Sequence, residues 1–427
     1  MKIDFPYGRS TITLDIPDKN IAALLRPAEP EPNSFSESEI VRDALMSPIG
    51  SPRLSELVCG KKSVVVITSD HTRAVPSRIT MPLLLEEIRR GNPEAEITIL
   101  VATGLHRSMT EAEMRDRFTD EIFESERIIN HNAFAGAEDP EYFVNLGILP
   151  SGSKCEINRI AVEADLLISE GFIEPHFFAG YSGGRKSILP GIASQDCVNI
   201  NHSARALADQ RAATGVLRGN PVHEDMIQAA KFAKLQFICN VLLNADKKVI
   251  DAFCGDIEEA HQKGCVTLMK RCGVEPVKSQ IIITSNGGYP LDQNLYQCPK
   301  GLDAAIACAG EGAVIILAAA CEDGLGGENF GRLMLSAPPE ELRDKILSIR
   351  PEETISEQWC NQRFADALCK HKIILVTDGI DRNTVEKMNF IHAESIQSAL
   401  EKAFELKGRD AGVTVIPDGV GVIVRRA

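Results

Sequence analysis

From Lys2 to Ile16, apolar and polar residues alternate around Gly8-Arg9, which predicts a β-hairpin with one buried face. Past a Pro-rich loop (Pro27, Pro30, Pro32) the spacing becomes that of an amphipathic helix over residues 37–46, preceded by Ser36 and Glu39 at capping-box spacing. A repeating unit then begins. Ser63-Val64-Val65-Val66-Ile67-Thr68 is an apolar run of strand length, followed by helical spacing over 79–90; residues 96–101 predict a second strand and 110–118 a second helix. Apolar runs at 165–169, 235–243 and 248–253 continue the series, with a helix at 256–271. Uninterrupted apolar strands alternating with helices imply a parallel sheet covered on both faces. A second series opens at Gln280-Ile281-Ile282-Ile283-Thr284. It runs through a helix at 301–309, a strand at 313–319, helices across 340–368 and a strand at 372–377, then two short strands around Pro417-Asp418-Gly419.

The expected fold class is therefore α/β: two domains with mainly parallel sheets covered by helices and a cleft between them. Residues 1–272 form the first and 273–427 the second, the change falling at Gly273-Val274-Glu275-Pro276, with the last strands free to pack back on the first domain. A length of 427 residues agrees with two cores, and 44% apolar with 25% charged residues is an ordinary globular balance. No run approaches the roughly 18 apolar residues of a membrane helix. The start, Met1-Lys2-Ile3-Asp4-Phe5-Pro6, has a charge and a proline where a signal peptide has its apolar region, so a cytoplasmic location is expected. Twelve cysteines scattered singly, without a Cys-x-x-Cys pair, read as reduced, mostly buried thiols. The net charge of −14 argues against nucleic acid or an anionic membrane as partner, but not against a small anion held by local cations.

In parallel α/β sheets chemistry gathers beyond the C-terminal ends of strands, and the polar, glycine-rich runs fall there. Asp70-His71-Thr72-Arg73 leaves the first strand; Arg73 suits a bidentate grip on a carboxylate, while Asp70 is equally suited to capping the next turn. Thr103-Gly104-Leu105-His106-Arg107 leaves the second and offers an imidazole for acid–base work. The richest run, from Glu170 to Gly191, holds His176 and Ser182-Gly183-Gly184-Arg185-Lys186; its glycines allow close backbone approach to an anion and its cations add charge, without Walker A spacing. His202 follows in a polar segment. Four histidines in such segments (71, 106, 176 and 202) leave a metal site open, although no recognised ligand spacing appears. In the second domain Tyr296, Gln297 and Lys300 fall within one helical turn, and Trp359, the single tryptophan, reads as a core or cleft-lining residue.

Taken together, Asp70 to Arg73, Gly104-Leu105-His106, the run from Glu174-Pro175-His176 to Gly191, and Gly287 to Lys300 resemble the nickel-pincer-nucleotide lactate racemase family over both domains. The resemblance implies a racemase or epimerase of an α-hydroxy acid. Lys186 would hold a pyridinium dithiocarboxylate mononucleotide through a thioamide, His202 would complete the coordination of Ni2+, and His106 and His176 would be the acid–base pair. Arg73, Gln297 and Lys300 would hold the substrate carboxylate, with Tyr296 and Trp359 nearby; Asp70, Thr72 and the Ser182–Arg185 turn would border the cofactor. Cofactor-maturation proteins are then implied as partners, and the oligomeric state is left open. The chemistry is coherent, because the Cα–H of a hydroxy acid is too weakly acidic for direct removal by imidazole, whereas its transfer as hydride with loss of the hydroxyl proton gives a planar keto acid that can be reduced on its other face. One departure is Ala74-Val75-Pro76, where the family pattern has proline at 74, which bears on the stiffness of that loop. A C2 epimerase of a longer sugar acid, a zinc hydrolase using His106, His176 and His202, and a nucleotide-binding sensor are the competing readings.

Overall fold

The computed structural model describes residues 1–28, 35–244 and 246–426. Pro30 and Pro32 of the Pro-rich loop lie outside the described residues. Two six-stranded sheets organise the chain. In the first, the spatial order is Val249–Gly255, Leu235–Leu243, Leu166–Phe172, Ser63–Ser69, Glu96–Ala102, Arg127–Asn130, parallel except for the antiparallel edge strand Val249–Gly255. In the second it is Ile391–Ala393, Lys372–Val376, Ala309–Ala318, Ser279–Ser285, Val413–Ile416, Ile21–Leu24, all parallel. Helices cover the faces, and Val64, Val66, Ile99, Ile281, Ile283, Ile316 and Ile374 are fully buried, as uninterrupted apolar strands require.

The first helix, Glu37–Met46, begins with the expected capping box: Ser36 Oγ accepts from the Glu39 N–H at 3.3 Å and the Ser36 N–H donates to Glu39 Oε2 at 2.7 Å. The hairpin also forms, Lys2–Tyr7 against Ser10–Asp15. Its location differs from the expected division at residue 272. Ile3, Phe5, Tyr7, Leu14 and Ile16 pack on Ile281, Ile283, Val314 and Ile316 of the second sheet, and Ile21–Leu24 forms that sheet's edge strand beside Val413–Ile416. The buried hairpin face needed an apolar surface, and the second sheet supplies it. The strand at 413–416 likewise stays in the second sheet, while Ile423–Val424 pairs with Gly273–Val274 at the change of domain.

Each sheet reverses its strand order at one point. In the first, the chain leaves Ser63–Ser69 towards one edge and returns at Leu166–Phe172 on the other side; in the second, Ser279–Ser285 and Val413–Ile416 flank the corresponding gap. Crevices at such switch points receive ligands, and the two face each other across one cleft. Behind it the domains are joined: Gln362 Nε2 donates to the Ala204 carbonyl at 3.0 Å, Arg363 donates to the Ala212 carbonyl, and Thr214 Oγ1 donates to Asp303 Oδ2 at 2.6 Å. No helix among the described residues is long and apolar enough to cross a membrane. All twelve cysteines are free thiols, and only Cys59 is exposed.

Buried imidazoles tie this fold to pH. Burial pushes His131 down to about 4, and His202 and His261 down to about 3. Below about 6.5 the unfolded chain takes up protons that these rings refuse, so acidification favours unfolding by roughly 1.4 kcal/mol per pH unit for each ring until its folded pKa is reached. The urea midpoint should fall steadily from pH 6.5 to 4.5; a flat profile over that window would mean that the rings are hydrated.

Candidate active site

The cleft encloses about 700 Å3 and is lined from both domains, by Asp70, Thr72, Arg73, His106, His176, Lys186 and His202 on one side and Tyr296, Gln297, Lys300 and Trp359 on the other. The strand-exit loops thus bring together the residues that the sequence pointed to.

Asp70 leaves the strand Ser63–Ser69 with its side chain buried. Its Oδ1 accepts from the Thr72 N–H at 3.0 Å and from Thr72 Oγ1 at 2.6 Å, and its Oδ2 lies 2.7 Å from His106 Nδ1. Burial raises the Asp70 pKa, but the hydrogen bond and charge of His106, with Thr72 and Arg73, more than offset it and hold the carboxyl below its usual range. An ionised Asp70 accepts only, so His106 carries a proton on Nδ1 and leaves Nε2 as its other ring nitrogen for chemistry in the cleft. His176 is wired in the opposite sense. Its Nδ1 accepts from the Ala179 N–H at 3.3 Å, and the ring stacks on Phe177 at 5.2 Å and meets Phe178 edge-on at 4.5 Å. Burial, then the charges of Lys186, Arg73, Lys300 and His202, push its pKa well below 6.5. The two imidazoles come from separate loops and are held by different partners.

Lys186 ends a tight turn in which Gly183 and Gly184 have φ of 76° and 54°. A Cβ on Gly183 would meet Asn240 Oδ1 at 2.7 Å and one on Gly184 would meet the His261 ring at 2.9 Å, so both close approach and left-handed backbone require glycine. The turn is pinned by the Gly184 N–H donating to Asn240 Oδ1 at 2.7 Å, and by Ser182 Oγ, which donates to the Phe172 carbonyl at 2.9 Å and accepts from the Glu174 N–H at 2.8 Å. Burial, then Arg73 and Arg185, push the Lys186 pKa well below 10.5. Its side chain makes no hydrogen bond or ion pair among the described residues; the amine lies 6.0 Å from the Phe178 ring centre. Burial and neighbouring cations that disfavour the charged form activate an unpaired lysine as a nucleophile.

Arg185 departs from the expectation that it would face a bound anion. It is fully buried and lies outside the cleft lining. Its guanidinium donates to the Ala179 carbonyl at 2.8 Å, the Gly183 carbonyl at 3.2 Å and His223 Nδ1 at 3.0 Å, and lies 3.1 Å from His261 Nε2. A guanidinium has five donors in a rigid fork, and here they fold the turn around themselves rather than serve a ligand.

His202 is buried with Nδ1 unpartnered, edge-on to Phe178 at 4.9 Å and to Trp359 at 5.3 Å. Trp359 Nε1 donates to Tyr296 Oη at 3.0 Å, which fixes the wall between the domains. Leu295–Gln297 forms a 3₁₀ turn and Lys300 follows on the helix Pro299–Cys308, so Tyr296, Gln297 and Lys300 do face the cleft together. Burial lowers the Lys300 pKa, against the opposing charge of Glu174. No group of three His, Cys, Asp or Glu among the described residues is arranged to hold a metal ion, so His106, His176 and His202 do not form the ligand set of a zinc hydrolase.

Sequence reasoning missed a supporting layer. Glu170, buried at the end of Leu166–Phe172, accepts from Thr68 Oγ1 and Ser77 Oγ at 2.5 Å each, and from Thr80 Oγ1. A carboxylate closing an apolar strand was its only signal.

A cleft at the switch points of two parallel sheets, lined by cations and by two differently wired imidazoles, defines a two-domain α/β enzyme for proton chemistry on a small anion. Comparison with known proteins gives the family. The lactate racemase N-terminal domain model matches residues 7–215 and the lactate racemase C-terminal domain model residues 274–424. The chain belongs to the lactate racemase family and is an isomerase. It is 49% identical to the lactate racemase of Thermoanaerobacterium thermosaccharolyticum and 47% identical to that of Lactiplantibacillus plantarum, in each case over 99% of both chains. The lactate racemase apoprotein structure from T. thermosaccharolyticum superposes with a TM-score of 0.96 over 100% of both chains at 48% identity. A Thermotoga maritima protein of known crystal structure, 18% identical, shares the fold with a TM-score of 0.64 over 92% of this chain.

Proposed function

We propose that this enzyme interconverts the two enantiomers of lactate with a nickel-pincer nucleotide attached to Lys186. The observation that carries the reading is Lys186, its amine buried without a hydrogen-bond or ion-pair partner among the described residues, in one cleft with two imidazoles and the cations Arg73 and Lys300. The residues present fit the group. Lys186 can be acylated, the unpartnered Nδ1 marks His202 as a neutral imidazole whose hydrogen bonding the protein leaves incomplete, and a metal there would take its other donors from the bound group, since the protein offers no cluster of its own. When bound, that cofactor supplies an electrophilic carbon that accepts the substrate Cα hydrogen with its electron pair and returns it.

The chain's own residues do the rest. Arg73, Gln297 and Lys300 hold the carboxylate, so the reacting carbon keeps its place while the keto acid presents its other face. His106, oriented by Asp70, takes the hydroxyl proton through Nε2, and His176 serves the opposite configuration. The aromatic wall of Phe177, Phe178, Tyr296 and Trp359 excludes water from the keto acid. The enzyme would be loaded in the cytoplasm by cofactor-maturation proteins.

Protein co-expressed with that machinery should convert pure L-lactate and pure D-lactate to the same equal mixture, read by chiral chromatography, with longer 2-hydroxy acids turned over more slowly. A loaded protein inert towards lactate but active on a longer acid would replace lactate as the substrate.

A further inference from the structure

The loop that carries Asp70 and Arg73 turns its side chains to the cleft and its carbonyls the other way. Those carbonyls converge on one side chain. Arg117 donates from one terminal nitrogen to the Asp70 carbonyl at 2.6 Å and the Arg73 carbonyl at 2.7 Å, and from the other to the Val75 carbonyl at 3.0 Å. Arg117 is the last residue of the helix Glu111–Arg117, and that helix follows the His106 loop. It is tied to the loop by Arg107, which pairs with Glu113 at 2.6 Å. A reciprocal contact runs the other way: Arg78, on the helix that follows the Asp70 loop, donates to the Asp116 carbonyl at 2.7 Å and the Arg115 carbonyl at 3.1 Å. Each arginine thus closes the backbone of the neighbouring unit.

We propose that Arg117 is a positioning residue that locks the Asp70–Arg73 loop to the His106 loop, setting both the Asp70–His106 hydrogen bond and the direction of Arg73. The proposal rests on the racemase reading for what these residues do, but not for where they sit. Besides this clamp the loop is held by Glu170, which gathers Thr68 before it and Ser77 and Thr80 after it. A rigid fork can satisfy three carbonyls spread over six residues, whereas an ammonium on a flexible stem is a point donor that cannot. The guanidinium is largely buried, and the charges of Glu170, Asp70 and Asp116 act against the cost of burying it.

The test uses Arg117→Lys, Arg117→Met and, as a second site on exposed ground, Arg78→Ala. In the cofactor-free full chain, the His106 Nδ1–H resonance in histidine-labelled protein should be present in the wild type and broadened or lost in both Arg117 variants. In the loaded enzyme, KM for lactate should rise and kcat/KM should fall on the order of 100-fold, the effect of a misplacement of about 1 Å. The Lys186 adduct and nickel content should stay at wild-type levels, and Arg78→Ala should move KM and the His106 resonance in the same direction by less. In a third substitution at this position, Arg117→Ala, partial return of activity with added ethylguanidinium supports the clamp. A wild-type His106 resonance and KM in Arg117→Met would overturn it, as would a loss that follows cofactor loading instead of KM. Because the resonance is read without turnover, a lost signal in the variant beside an inert wild type would fault the racemase reading and leave the clamp standing.

Discussion

Alanine at position 186 is expected to give a folded chain that carries no adduct and racemises lactate no faster than background, a loss on the order of 10^6-fold or more. The intact mass, peptide mapping around residue 186 and nickel content would read the first part without reference to activity. The amine has no partner to leave unsatisfied among the described residues, and the turn that presents it is held by Asn240, Ser182 and Arg185. Stability should therefore not suffer. It should rise: burial and nearby cations lower the folded pKa of Lys186, so at neutral pH the unfolded chain binds a proton that the native state holds poorly, and removing the group removes that penalty. An equal or higher Tm together with an absent adduct would identify Lys186 as a residue kept at the expense of stability. Lys300→Ala is the control, since it should keep the adduct while raising KM. A full adduct in Lys186→Ala would place the attachment elsewhere and remove the main support of the proposed function.

Much of the fold was legible because the chain's central strands are apolar without interruption and some of its helices, such as Glu37–Met46 and Glu111–Arg117, begin at capping boxes. Ser63–Ser69, Glu96–Ala102 and Ser279–Ser285 lie where the pattern puts them, and so does the helix capped by Ser36. Less visible were short edge strands such as Arg127–Asn130 and Ile391–Ala393, each of four residues or fewer and too short to show a period. Periodicity also reveals which face of an element is buried but not what covers it, so the pattern alone places the N-terminal hairpin with its neighbour in sequence, whereas it packs on the second sheet. The site was legible for a related reason. Glycine-rich polar runs at strand exits are local, and switch-point topology then gathers them. Direction was not: nothing in Gly183-Gly184-Arg185-Lys186 says which of two adjacent cations turns into the cleft, and the structure sends Lys186 there and Arg185 into the core. Arg117 left no trace either, because an arginine at a helix C-terminus has an ordinary explanation in the helix dipole.

Asp70→Asn should reduce kcat by about 10^2- to 10^4-fold, in the range of general acid–base effects, while loading of Lys186 stays complete. The geometry fixes the reason. Asp70 Oδ1 accepts from both the N–H and the hydroxyl of Thr72, so an asparagine will place its carbonyl oxygen there and its NH2 group towards His106. The 2.7 Å contact then needs His106 Nδ1 to accept, and the neutral ring must move its proton to Nε2, the atom that should receive the hydroxyl proton. The side chain is nearly isosteric, so the variant isolates tautomer from packing. Nitrogen-15 spectra of labelled His106 should show the proton on Nδ1 in the wild type and on Nε2 in the variant. Acid stability gives a second readout of the same bond. A carboxyl whose folded pKa lies below its unfolded value stabilises the native state above that unfolded value and loses the contribution as pH falls through the folded one. The variant should therefore lack this part of the acid-induced loss below about pH 4. If turnover in both directions instead stays within about threefold of wild type while the tautomer switches, His106 is not the base, and the proton chemistry of both enantiomers falls to His176.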